Sequence, residues 1–424
     1  MGGRPNSSVV KEKKKPTMKS LEKFVVSHPT GNTFVRALLA QLYNQKQLQK
    51  FFTTIGAGQA GNSMIESFCL DKRKYPIPDK IISRQWMPEI SRLLTKGDQR
   101  EKRLKADLSY LALDKKVSCE LNNLTSQALH AYEDGCSSSF ARAKELGIQC
   151  SYELPIAHWA TLRRLLAEEA ERYPEWEPTL ESTREPEEKL FRKEEELRLA
   201  DRITCPSKFV LDSIPLEIKQ KTPCQVSPFG SPPSERIHVG QSSQNCPLKL
   251  LFVGSMSQRK GLADLFEAMK LLKGEPISLS ILGQPSMPME FYRKQFAAFE
   301  YFQPCSNHKV REIMKVHDAL VLPSIVEGRA LVQQEALSCG LPIVVTPNAG
   351  GEDLVEEGKT GHLIPIRSPE KIAKAIRNLL SNRINKKEIQ RLCQKKASQY
   401  TWASYTQKII DFNLSNPAQR LEIA

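Results

Sequence analysis

DALVLPSIVEGRALVQQEALSCGLPIVVTPNAGG, residues Asp318 to Gly351, is the stretch that decides the fold. Ala319-Leu320-Val321-Leu322 is a short apolar run closed by Pro323 and Ser324, the pattern of a strand buried on both faces. Gly328 permits a tight turn in the loop that follows. Leu331, Val332 and Leu337 keep one apolar face along a helix until Gly340 and Pro342 end it. Pro342 to Thr346 reads as the next strand. Strand, helix and strand at this spacing make one crossover unit of a parallel sheet.

Two carboxylates sit in that unit, Glu327 in the loop and Glu335 in the helix, with seven residues between them. Loops at the carboxyl ends of parallel strands are where open α/β sheets bind ligands. The free amides from Ala330 to Val332 and the helix dipole favour a phosphate there. Glu335, about one turn into the helix, can accept hydrogen bonds from two vicinal hydroxyls of a ribose. Glu327 can reach a different part of the same ligand. The plainer reading is two solvated glutamates in an ordinary crossover unit, the usual fate of a surface Glu pair.

The whole string resembles the donor-binding motif of retaining glycosyltransferases of the GT-B fold, family 4. Glu327-Gly328-Arg329-Ala330, then Glu335-Ala336-Leu337-Ser338-Cys339-Gly340-Leu341-Pro342-Ile343, matches E-G-F-G, a few apolar residues, and E-A-(small)-(small)-G-x-P-V. Arg329-Ala330 stands where Phe-Gly is commoner. The resemblance implies α/β architecture with two Rossmann-like domains facing a cleft. Sugar would move from a nucleotide-sugar donor to a hydroxyl acceptor with retention of anomeric configuration. The attack would be front-face, with no enzymic nucleophile, and the leaving diphosphate would take the acceptor's proton.

Composition sets the frame. The chain has 424 residues, enough for two domains of ordinary size, and 40% of them are hydrophobic. No run of 18 apolar residues occurs, so no transmembrane helix is expected. Of the net charge of +14, +5 falls in the first twenty residues, where Arg4, Lys11, Lys13, Lys14, Lys15 and Lys19 face only Glu12. This basic tail, residues 1–20, is expected to be disordered and is no secretory signal, lacking an apolar core. With no nucleic-acid-binding signature beside it, the charge suits anionic substrates or an anionic membrane surface better than nucleic acid. Ten cysteines are scattered singly, without C-x-x-C pairs, and several sit in apolar or small-residue surroundings as buried free thiols do, which suits a reducing cytoplasm. Peripheral attachment to the inner membrane face fits the same composition.

Two successive series of strands and helices follow the tail. The first covers residues 21–220, a Rossmann-like domain on the acceptor side. It opens with the strand Lys23 to Ser27, the loop His28 to Asn32 and a helix from Thr33. Arg84 to about Gln127 reads as helical throughout. Residues 221–247, rich in Pro, Gly, Ser and Gln, read as a linker. Residues 248–400 form the second series, the nucleotide-sugar side, starting at the strand Leu248 to Val253. Residues 401–415 form a last helix, which in the GT-B plan crosses back to the first domain.

Gly56-Ala57-Gly58-Gln59-Ala60-Gly61 is a formal G-x-G-x-x-G after a strand. Lys72-Arg73-Lys74-Tyr75-Pro76-Ile77-Pro78 follows instead of a long helix and a parallel strand, which argues against dinucleotide binding. A flexible loop beside the cleft is the better expectation.

Val253-Gly254-Ser255-Met256-Ser257-Gln258-Arg259-Lys260-Gly261 is a strand end, a loop and a helix start. Arg259 and Lys260 could meet a diphosphate there, although an Arg-Lys pair before a helix is often plain surface charge. The resemblance places the donor diphosphate at this segment, with Lys260 matching the family's lysine and Ser255 standing at its arginine position. Arg259 is then the candidate to replace that arginine. Donor contacts fall on Glu335, Arg259, Gly254, Ser255, Gly328, Leu331 and Val332. The residues closest to the reaction are Glu327, Lys260 and His158, the last matching a family histidine beside the donor sugar. A histidine in that place is, taken alone, more often structural than catalytic. Gly31, with Asn32, corresponds to the loop that closes over phosphate and acceptor.

No D-x-D occurs, so no metal-held donor diphosphate is expected; no cofactor is expected either, the nucleotide sugar being the substrate. The expected partners are a nucleotide-sugar donor and a saccharide or lipid-linked acceptor, in polysaccharide or glycolipid synthesis. An alternative of another class is a catalytically silent protein of this fold that binds a nucleotide sugar as scaffold or sensor.

Overall fold

The computed structural model describes residues 23–59, 73–97, 99–180, 185–234 and 246–415, built on two parallel sheets. The basic tail lies outside the described residues.

The first sheet uses β1 (Phe24–Ser27), β2 (Leu48–Thr53), β5 (Ile82–Arg84), β6 (Ala128–Tyr132), β7 (Gln149–Glu153), β8 (Arg202–Cys205) and β9 (Cys224–Val226). Its order is β5-β2-β1-β6-β7-β8-β9, every pairing parallel. Phe24–Ser27 and Ala128–Tyr132 are buried at every position, which is why they read as continuous rather than alternating apolar runs. The helical stretch expected from Arg84 to Gln127 is two helices, Trp86–Leu94 and Gln99–Glu120.

Two expectations for this half are corrected. Ala57-Gly58-Gln59 of the G-x-G-x-x-G string forms a short strand, β3, paired in parallel with β4 (Lys74–Pro78). Gly58 donates its amide to Asp79 at 2.9 Å, and a side chain at Gly58 would meet the backbone around Ile77 and Asp79. These glycines serve close backbone packing; Ala60 and Gly61 lie outside the described residues. The linker read over 221–247 begins with β9, because Cys224–Val226 extends the sheet edge beside β8.

The second sheet has the order β12-β11-β10-β13-β14-β15, again all parallel. Its strands are β10 (Leu248–Val253), β11 (Ile277–Leu282), β12 (Phe299–Phe302), β13 (Ala319–Leu322), β14 (Ile343–Val345) and β15 (Gly361–Leu363). The chain winds outward in one direction from β10 and in the other from β13. The gap between them is therefore the topological switch point, and the loops after both strands open there.

The last helix, Trp402–Leu414, returns to the first sheet. Tyr405, Ile409 and Ile410 share an apolar cluster with Phe24, Val35 and Leu39. The Tyr405 hydroxyl donates to the buried Glu153 carboxylate, with its oxygens at 2.8 and 3.0 Å. This contact ties the chain's end to the strand whose loop faces the second sheet.

Candidate functional site

The loop after β10 turns through Gln258–Lys260 and ends at Gly261, whose φ of 73° is left-handed. A Cβ at Gly261 would stand 2.0 Å from the Pro323 carbonyl oxygen, so only glycine lets the turn seat against the end of β13. Ile325 donates its amide to the Arg259 carbonyl at 2.9 Å and completes the junction. Gly254 leaves room for the Lys260 stem, whose Cε lies 3.4 Å from where a Cβ would be. Ser255 and Ser257 face each other, their hydroxyls 3.3 Å apart.

Glu327 is where the two loops meet. Its carboxylate lies 2.5 Å from the Lys260 ammonium and accepts from the Arg259 guanidinium. Arg259 also donates to the Val326 carbonyl at 3.3 Å. Burial pushes the Glu327 carboxyl up, but the charges of Lys260 and Arg259 and their hydrogen bonds outweigh it. The group therefore sits below the usual carboxylate range. Burial lowers Lys260, and the neighbouring Arg259 charge adds to that, against the pull of Glu327.

Gly328 makes one close contact between the two halves. A Cβ there would stand 1.7 Å from the Pro155 carbonyl oxygen, in the loop after β7. Ser207 donates to the Gly328 carbonyl at 2.6 Å. Arg329, which replaces the commoner aromatic residue, is buried and turned into its own half. It donates to Asp353 at 2.7 Å, to the Gly350 carbonyl at 3.0 Å and to Gln334 at 3.0 Å. Its guanidinium also lies over the Tyr400 ring, 4.9 Å from the centroid.

The helix Leu331–Ser338 starts at the same place with no side-chain cap. The amides of Leu331 and Val332 lie in the first turn, where a helix has no internal acceptor for them. The Ala330 amide, grouped with them on sequence grounds, is instead taken by the Ala349 carbonyl at 3.2 Å. Glu335 faces a pocket of ≈ 300 Å³ shared with Thr33, Asn307, Arg311, Leu331 and Trp402. Burial raises the Glu335 carboxyl above its ordinary value, and the Arg311 charge only partly offsets this. Thr33 starts the helix after β1, so this pocket opens toward the first domain. Gly31 there accepts from Arg36 at 2.8 Å, and Asn32 precedes the helix without a side-chain cap.

His158 is not brought to this cluster. It caps the helix Trp159–Arg172, its Nε2 lies 2.9 Å from Glu194, and its amide donates to Ser213 at 2.8 Å. Neighbouring Ala157 packs in an apolar cluster with Ile325 and Val326 while the imidazole pairs with Glu194. Burial lowers its pKa, against the Glu194 charge.

Sequence reasoning missed Asn307 and Arg311, because the helix Asn307–Lys315 went unread. Its signal was present: Ser306 caps Lys309, and Val310, Ile313 and Met314 recur at helical spacing. Among the described residues no group of three His, Cys, Asp or Glu side chains is placed to hold a metal ion.

Residues 234–399 match the family model for Glycosyl transferases group 1. The chain is 27% identical over 163 residues to the putative colanic acid biosynthesis glycosyltransferase WcaL of Salmonella typhimurium, which spans 35% of this chain and 40% of that protein. It is 29% identical over 140 residues to the putative teichuronic acid biosynthesis glycosyltransferase TuaC of Bacillus subtilis, covering 33% of this chain and 34% of that one. The chain thus aligns with well under half the length of these curated relatives.

Solved structures extend the likeness to the whole fold. A sucrose-phosphate synthase from Thermosynechococcus elongatus superposes with a TM-score of 0.63 at 16% identity, covering 92% of this chain and 98% of that one. HepE of Anabaena, described in complex with UDP, gives 0.59 at 13% identity, with 92% and 98% covered. The fold is GT-B, with two Rossmann-like sheets. No described helix is long and apolar enough to cross a membrane.

Proposed function

We propose that this protein moves a sugar from a nucleotide-sugar donor to a hydroxyl acceptor, retaining anomeric configuration and using fixed cations rather than a metal at the leaving diphosphate. The observation that carries the proposal is the convergence of Lys260 and Arg259 on Glu327 at the switch point of the second sheet. Glu335 lines a pocket from the helix that follows the Glu327 loop.

In this reading the donor diphosphate takes Lys260, Arg259 and the first-turn amides of Leu331 and Val332. Glu335 accepts from the ribose hydroxyls, and Glu327 is left for the sugar. As the glycosidic bond breaks, negative charge builds on the diphosphate, and the cations stabilise that charge most in the transition state. The acceptor hydroxyl approaches on the same face and gives its proton to the departing phosphate oxygen, so no protein nucleophile is required. The acceptor, a saccharide or a lipid-linked one, enters from the first domain past Gly31 and Asn32. The basic residues 1–20 would then add peripheral contact with an anionic membrane on its cytoplasmic side.

The test is incubation with a panel of nucleotide sugars, reading nucleoside diphosphate release and product anomeric configuration by NMR. Release with retained configuration supports the reading. Binding without release in the presence or absence of acceptors points to a silent binder, and inverted product removes the retaining mechanism.

A further inference from the structure

A buried glutamine sits directly before the two cations. Gln258 is fully buried, as are two acids around it, Glu169 and Asp264. Its side-chain amide donates to Glu169 at 2.6 Å and to Asp264 at 2.8 Å, and its carbonyl accepts the Ala263 amide at 2.9 Å. Its own backbone amide donates to the Thr179 hydroxyl at 3.1 Å. Arg172 donates to Asp264 at 2.6 Å, and Arg367 donates to Glu169 and, at 2.7 Å, to Glu168. Two buried carboxylates thus have two guanidinium partners, and one neutral amide bridges them with every hydrogen-bonding group used.

Glu169, Arg172 and Thr179 come from the sequence between β7 and β8, in the first series, yet their surroundings belong to the second sheet. Trp176, in the same segment, is 1% exposed and lies in the second sheet's core. Its ring is 5.0 Å from Phe291, 5.7 Å from Tyr292 and 6.0 Å from Phe266. Leu162, Leu165, Leu166 and Leu180 pack with Ile325 and Val326, the two residues before Glu327. The segment from Trp159 to Leu180 therefore grips both loops of the site, one through Gln258 and the other through Ile325 and Val326.

We propose that Trp159–Leu180 is a brace that moves with the second sheet, and that Gln258 is a positioning residue holding the Arg259–Lys260 turn in place for a diphosphate. The role assigned to the cations rests on the function proposed above; the brace itself does not. A Gln258 side chain tied to two buried acids cannot rotate without taking a hydrogen bond from each of them, a cost that fixes the turn ahead of any ligand. Preorganisation of this kind shows as tighter binding of charge, not of the nucleoside.

Hydrogen exchange and binding on the full chain test the two parts separately. In the wild type, amides of 159–180 should open together with those of the second sheet rather than those of β7 and β8. Exchange that follows β7 and β8 overturns the brace, whatever the protein binds. Gln258→Met should speed exchange at 259–261 and 325–327. It should also weaken binding of UDP, ADP, GDP or inorganic pyrophosphate about tenfold, with nucleoside binding within about twofold. Thr179→Val should act in the same direction and more mildly, and Thr179→Ser should restore the wild type; this pair decides the question if Gln258→Met does not fold. Equal losses for nucleoside and diphosphate, or unchanged exchange at 259–261, overturn the positioning role. If the wild type binds no diphosphate at all, the function reading fails while the exchange result still stands.

Discussion

Lys260 and Glu327 lie 2.5 Å apart across the switch point of the second sheet, joining the loops after β10 and β13. A diphosphate arriving there must compete with Glu327 for the same ammonium and for Arg259. Glu327→Gln removes the competitor's charge. Nucleoside diphosphate affinity should stay level or rise, while turnover falls roughly a hundredfold as the sugar loses its charged partner. Titration calorimetry beside a transfer assay checks this, and a parallel loss in both would place Glu327 at the phosphates instead.

The same pair has a signature in acid. Glu327 is depressed in the folded protein, so its contribution to stability is full above the ordinary carboxylate value, about 4.5, and is lost as pH falls through its lower folded value. Glu327→Gln lacks that dependence. The Tm gap between wild type and variant should therefore shrink as pH drops from about 6 to about 3. A constant gap would show that the ion pair adds nothing to folding.

What the sequence exposed and what it hid follow from the range of each interaction. Buried parallel strands such as Ala319–Leu322 announce themselves as short apolar runs, and Gly340 and Pro342 punctuate the helix before β14. The meeting of Glu327 with Lys260 was legible because backbone motifs at fixed spacing place them. His158 was not, since the Glu194 that takes its imidazole lies on another helix. Gln258 looked like any loop glutamine and Trp176 carried no local signal, because groups that bury them come from distant parts of the chain. Arg329 looked like a defect in the motif until its partners Gly350 and Asp353 were in view.

Glu335 should govern the nucleoside. Its carboxyl is raised by burial, so it gains a proton at higher pH than an exposed acid would. Nucleoside affinity should then decline on acidification from a pH above the ordinary carboxylate range, as the acceptor for the ribose hydroxyls is lost. Glu335→Ala should cost about 1–3 kcal/mol in binding of nucleoside and nucleoside diphosphate alike, and should abolish that pH dependence. Unchanged nucleoside affinity in the variant would remove Glu335 from the pocket's function.

The charge excess at the start of the chain makes a separate prediction. Six basic residues face one acid within residues 1–20. If they contact anionic lipid, each net charge adds up to about 1 kcal/mol near the surface. Deleting residues 1–20 should then lower sedimentation with phosphatidylserine vesicles and leave transfer to a soluble acceptor intact. Vesicle binding that survives the deletion would assign membrane contact elsewhere or nowhere.

The metal-free mechanism meets its hardest test at Lys260. Its ammonium is withdrawn from water, and burial lowers it against the pull of Glu327. In the proposed transfer, charge would move from the breaking glycosidic bond onto the diphosphate, and a cation already desolvated would need no reorganisation to meet it. Lys260→Ala should therefore reduce turnover by about 3–4 kcal/mol of barrier, a hundredfold or more. Circular dichroism should show the fold retained, because Arg259 still pairs Glu327. Arg259→Ala should be milder, since the first-turn amides and Lys260 keep most of the charge compensation. Wild-type turnover should persist in EDTA. If chelation stops transfer, magnesium restores it and Lys260→Ala remains active, then a divalent ion and not this lysine neutralises the leaving group.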